Sequence, residues 1–146
     1  MGKLGQQNNV MTTLHLLSSI ALPVLTYGLE SLSMAKTKLV ELDHPWLRSC
    51  MKIFKTFDKQ IVRQCQMFAG VLPLQHHYAL RSCAFLLKLE SSDNGILRLL
   101  YDMCVYRDIV SLSLKYNCAT NLFIKNYRSI ISTRFHDECN MTNQFL

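Results

Sequence analysis

Apolar residues recur along this chain at three- and four-residue spacing, which is the period of a helix with one face turned inward. The pattern is clearest in the second stretch, about residues 35–57. There Leu39, Leu42, Trp46, Leu47, Cys50, Met51 and Phe54 fall on one side. Pro45 lies within that run, so the stretch is either kinked or begins afresh with Asp43 or His44 as its cap. A first helix is expected over about residues 11–33, broken or kinked at Pro23. Asp58 reads as the N-cap of a helix ending near Ala69. Gly70 then suits a left-handed C-cap, and Pro73 opens the next helix, which runs to about Leu89. Ser91 to Gly95 is the clearest loop. Beyond it the helical period resumes through Leu99, Leu100, Met103, Cys104 and Val110, and a turn follows near residues 117–121. Leu122 to Phe135 reads as a last helix, or a strand because of Ile130-Ile131. The fold class expected is all-α: an irregular bundle of five to six helices. The divisions expected are a disordered N-terminus over 1–10, a main helical region over 11–90, C-terminal helices over 91–135 and a flexible tail over 136–146.

Composition narrows this picture without changing it. The 146 residues suit one domain, with 49% hydrophobic and 18% charged residues, so extensive disorder is not expected. Five glycines and three prolines are too few to punctuate an all-β sandwich. Leu14 to Leu25 is apolar but shorter than a membrane span. Its polar lead and the single Lys3 make a poor signal peptide, so a buried helix is the preferred reading. Gln6 leaves the Met1-Gly2 myristoylation pattern incomplete. No membrane association is expected. The six cysteines contain no CxxC pair, which argues against a zinc site. Cys50, Cys65, Cys83 and Cys104 fall on apolar helix faces, where thiols act as small buried hydrophobes. An intracellular setting, cytoplasmic or nuclear, follows from reduced thiols, and no cofactor or metal is expected.

Catalytic patterns are missing. The sequence holds no GxGxxG, Walker, GxSxG or HExxH motif, and its one adjacent acidic pair, Asp137-Glu138, falls in the expected tail. His76-His77 would point about 100° apart on a helix, which suits partly exposed helix-start residues better than a shared metal. Charge is more informative. The chain carries +6, and Met34 to Gln66 holds seven basic and three acidic residues, a surplus of +4. Arg48, Lys52 and Lys55 share one helix face, and Lys59 and Arg63 repeat the spacing. Such stripes meet phosphate backbones, although most are simply the solvated face of an amphipathic helix. Arg81, Lys88 and Arg98 extend the basic bias thinly.

Leu22 to Leu32 reads LPVLTYGLESL, Trp46 to Phe54 carries a Leu-Arg step followed by Lys-Ile-Phe, and Gln66 to Leu74 reads QMFAGVLPL. In this order and spacing, and with the following helix of Tyr78, Arg81 and Phe85, these segments resemble the region after the palm in reverse transcriptases of non-LTR retrotransposons. The jockey-like and chicken-repeat-like clades are the nearest in pattern. The resemblance covers about residues 10–90 and implies that 11–90 is a thumb-like region. That family polymerises DNA on RNA with metal ions held by palm aspartates in a Phe/Tyr-Ala-Asp-Asp motif. The chain lacks that motif and the family's C-terminal Cys/His knuckle. The resemblance therefore implies a fragment without catalytic residues, no enzyme by itself, packing in its parent against the palm of a longer polymerase. It also implies an RNA–DNA or DNA duplex as partner, gripped nonspecifically through phosphates by Lys36, Lys38, Arg48, Lys52, Lys55, Lys59, Arg63 and Arg81. The competing expectation is a small helical protein-interaction domain with no nucleic-acid role.

Overall fold

The computed structural model describes residues 9–32 and 34–143. Among the described residues the fold is all-α, an irregular bundle without strands. Asn9 caps α1 (Val10–Leu16), accepting from the Met11 amide at 3.0 Å. The rod continues through a π-turn (Leu17–Ala21) into α2 (Leu22–Leu25). Pro23 lies in the first turn of α2 and offers no N–H to the turn before it, which accounts for the widened π geometry there. Gly28 then takes φ +70°, a conformation that favours glycine, and reverses the chain into a short 3₁₀ turn (Leu29–Ser31).

α3 (Lys36–Phe54) runs unbroken past Pro45, so neither Asp43 nor His44 starts a new helix. Its inward face buries Leu39, Trp46, Leu47 and Cys50, the residues that the period singles out. α4 (Lys59–Phe68) starts where Asp58 accepts from the Gln60 amide at 2.7 Å. It ends before Gly70, which adopts φ +68° as its sequence context requires. α5 (Leu74–Glu90) follows Pro73, and Asn94 caps α6 (Gly95–Leu100). A second π-turn (Tyr101–Val105) joins α6 to α7 (Tyr106–Lys115).

α8 (Thr120–Asn143) departs from expectation twice. The Ile130-Ile131 segment is helical, not extended, and the helix continues through the residues read as a tail. Cys139 is buried there, so the described part of 136–146 is packed structure. Phe135 and Cys139 stand four apart and bury together, an anchor that the polar neighbours His136, Asp137 and Glu138 disguise in the sequence. The N-terminal reading is likewise corrected at its edge, since Asn9 and Val10 belong to the capped start of α1, while residues 1–8 lie outside the described chain.

α5 is the spine. It touches α3, α6, α7, α8 and the 3₁₀ turn, and its contact with α8 is the most extensive among the described elements. One core gathers Leu22, Trp46, Leu47, Cys50, Val62 and Leu74 from α2 to α5. A second joins Ala79 and Cys83 of α5 to Tyr116, Phe123 and Ile131, and a third joins Leu86 to Tyr101 and Ile109.

Candidate functional site

α4 divides its circumference three ways. Val62 and Gln66 face the core and are fully buried. Gln66 is tolerated there because its Nε2 donates to Cys50 Sγ at 3.3 Å and its Oε1 accepts from Arg63 Nη1 at 2.9 Å. Ile61 and Phe68, seven residues apart, share a second strip of α4, and Phe57 stands in the turn just before the helix. Phe57 is 94% exposed and Phe68 84%, with Ile61 also open. The third strip, Lys59, Gln60, Arg63 and Gln64, walls a cleft of about 190 Å³ against Phe135, Glu138 and Cys139 of α8, with Pro73 and Gln75 closing one side.

Polar bonds hold these walls. Asp43 of α3 pairs with Arg63 Nη2 and its other oxygen accepts the Leu74 amide at 3.0 Å, so one carboxylate ties α3 to α4 and caps α5. Trp46 Nε1 donates to the Leu72 carbonyl at 3.3 Å. Across the cleft, Cys139 Sγ lies 3.8 Å from the Arg63 carbonyl. Behind Glu138 sits His76, 2% exposed, with Nδ1 3.2 Å from the Tyr116 hydroxyl and Nε2 3.4 Å from Glu138 Oε2. The latter contact is long, and Nε2 has no hydrogen bond of good geometry. Arg134 Nε reaches the other Glu138 oxygen at 3.4 Å.

Burial pushes His76 below its ordinary value while the Glu138 carboxylate pulls it back. His77, edge-on to Trp46 at a centroid distance of 6.3 Å, is pushed down to about 4, first by burial and then by His76 and Arg81. Both stand in the first turn of α5, as the sequence suggests, and both are pushed toward neutrality; His76 is buried where partial exposure was expected, and His77 is half-buried. Burial also raises the Tyr116 hydroxyl, with Glu138 adding to it. It lifts the Cys50 and Cys83 thiols to about 11, which keeps them protonated and chemically quiet. Cys50, Cys65, Cys83, Cys118 and Cys139 are free thiols.

The eight basic residues singled out as duplex contacts do not form one surface. Arg63 is committed to Asp43 and Gln66. Arg81 grips Glu30 through Nε and Nη2 at 3.2 and 3.0 Å and donates from Nη1 to Thr26 Oγ1 at 3.0 Å. This clamp, with the Tyr78 hydroxyl donating to the Leu32 carbonyl at 2.6 Å, fastens the 3₁₀ turn to α5. Lys38 pairs with Glu41 at 2.9 Å. Lys36 stands twelve residues from Arg48, about 120° round α3. That leaves Arg48, Lys52 and Lys55 as an exposed cluster, with Lys59 beyond the turn.

Among the described residues there is no group of three or more His, Cys, Asp or Glu placed to hold a metal ion, and no helix long and apolar enough to cross a membrane. Sequence reasoning missed Gln60, Gln64, Gln75, Phe135 and Glu138 as cleft residues, and nothing local marks them. No protein-family model, curated protein or solved structure matches the chain. The descriptions reverse transcriptase-like, retrotransposon-derived, thumb and nucleic acid binding are accordingly corrected: none of the three comparisons ties the chain to them.

Proposed function

We propose that the chain is a helical protein-interaction module whose α3–α4 corner docks an acidic segment with an apolar face. The observation that supports this is the exposure of Phe57, in the turn before α4, and of Ile61 and Phe68 on one face of α4, the two phenylalanines almost wholly in water. Covering a phenylalanine is worth about 1.5–3 kcal/mol, so aromatic surface left open is a reservoir of binding energy. Lys52 and Lys55 precede Phe57 in the chain, Lys59 follows it, and all three are exposed. Their charge favours an acidic partner and steers its approach. On this reading the chain performs no chemistry of its own, and its quiet buried thiols suit a reducing compartment, cytoplasm or nucleus.

The test uses a synthetic helical peptide with leucines on one face and glutamates elsewhere, followed by fluorescence anisotropy. Replacing Phe57 and Phe68 together by serine is expected to weaken binding at least about 100-fold, the equivalent of roughly 3 kcal/mol. A labelled RNA–DNA duplex is the competing arm. If the duplex binds with a steep salt dependence and the double variant leaves it unchanged, while the peptide does not bind, the docking reading fails.

A further inference from the structure

The cleft on the other side of α4 has a separate character. Its volume, about 190 Å³, falls below the ~300 Å³ at which drug-sized pockets begin, so it suits one small molecule. Its walls carry opposite charges. α4 contributes Lys59 and Arg63 to the lining, and α8 contributes Glu138. Arg63 uses one N–H for Asp43 and another for Gln66, and a guanidinium has further donors to offer. The floor is apolar, with Pro73, Phe135 and Cys139 all buried. Gln60, Gln64 and Gln75 add amides that both donate and accept.

A simple anion would meet the cations but also Glu138. A simple cation would meet Glu138 but also Lys59 and Arg63. A molecule with both charges a few bonds apart satisfies each wall. We propose that this cleft binds a small zwitterion of the α-amino-acid class, its carboxylate on Lys59 and Arg63, its ammonium on Glu138, and an uncharged polar side chain among the glutamines. Behind Glu138, His76 Nε2 and Arg134 Nε each stand 3.4 Å from one of its carboxylate oxygens. Tyr116 in turn holds the His76 ring from Nδ1. The site does not depend on the exposed phenylalanines or on any partner protein.

The experiment titrates the full chain with L-glutamine and follows backbone amide signals by two-dimensional NMR. Saturable shifts confined to residues 59–64, 74–76 and 135–139 are expected. N-acetyl-L-glutamine lacks the ammonium and L-glutaminamide lacks the carboxylate; each should bind roughly ten-fold or more weakly, the effect of one charge-assisted hydrogen bond. Glu138→Gln should erase the preference for L-glutamine over the N-acetyl form, and Lys59→Ala should shrink the preference over the amide. The two derivatives probe the charges in the unaltered protein, so the test survives a variant that folds poorly. Absence of saturable shifts at low-millimolar L-glutamine, shifts scattered over the surface, or equal binding of all three compounds would overturn the proposal.

Discussion

The two halves of the bundle are built by different means. From α2 to the start of α5, apolar burial is accompanied by directional polar bonds: Asp43 to Arg63 and the Leu74 amide, Gln66 to Cys50, Trp46 to the Leu72 carbonyl, Arg81 to Glu30 and Thr26. From α6 to α7, packing rests on Tyr101, Ile109 and Leu86, and the described polar side-chain bonds are mostly local, such as Ser113 to Thr120 at 3.1 Å. Many apolar residues there stay open, among them Ile96, Leu99, Met103 and Leu114. Burial alone permits several registers between helices, whereas a satisfied buried polar group permits one. The first half should therefore behave as a stiff unit and the α6–α7 rod as the part that opens first.

The largest break in that contrast is Trp46→Ala. It removes the biggest fully buried side chain and its bond to Leu72, and should cost about 3–5 kcal/mol in urea denaturation. Asp43→Ala comes next, at about 2–3 kcal/mol. It strands a partly buried Arg63 and uncaps α5, so hydrogen exchange should rise at the start of α5 and leave α7 unaffected.

Acid gives a third, smaller effect. His77 has a folded value near 4 against about 6.5 unfolded, so the unfolded chain binds the proton first. Stability should therefore fall as pH drops from about 6.5 toward 4, by roughly 2 kcal/mol, and His77→Gln should flatten that slope. Glu30 acts lower on the scale. The Arg81 hydrogen bond holds its carboxyl below the ordinary value, so the clamp persists above the carboxylate range and is lost as pH falls through the folded value. Arg81→Met should cost about 1 kcal/mol at neutral pH, given how open the guanidinium is. The smallest effect sharpens the comparison from the other side: Leu99→Ser, on the exposed face of α6, should change stability by less than about 0.5 kcal/mol.

Local chemistry made most helices readable. Asp58 before α4 and Gly70 after it are cap residues with a mechanism, and both act as caps in the structure. The buried face of α3 follows from spacing alone. Features that depend on distant segments were not readable. The fates of Arg63 and Arg81 turn on Asp43 and Glu30, twenty and fifty-one residues away. The cleft draws on three segments between residues 59 and 139, so neither its shape nor its mixed charge has a local signature. The packed end of α8 has little sequence signature, because three polar residues separate Phe135 from Cys139 and the exposed face outweighs the buried one.

The thiol of Cys139 on the Arg63 carbonyl joins positions 76 residues apart. In a chain emerging from the ribosome, α4 is made long before the helix that covers it. Until α8 arrives, the α4 wall and the Pro73 corner are open to water and to chaperones. Closing this seam is thus a late event in the life of the nascent chain, and a translational pause before residue 139 would hold the bundle half-shut.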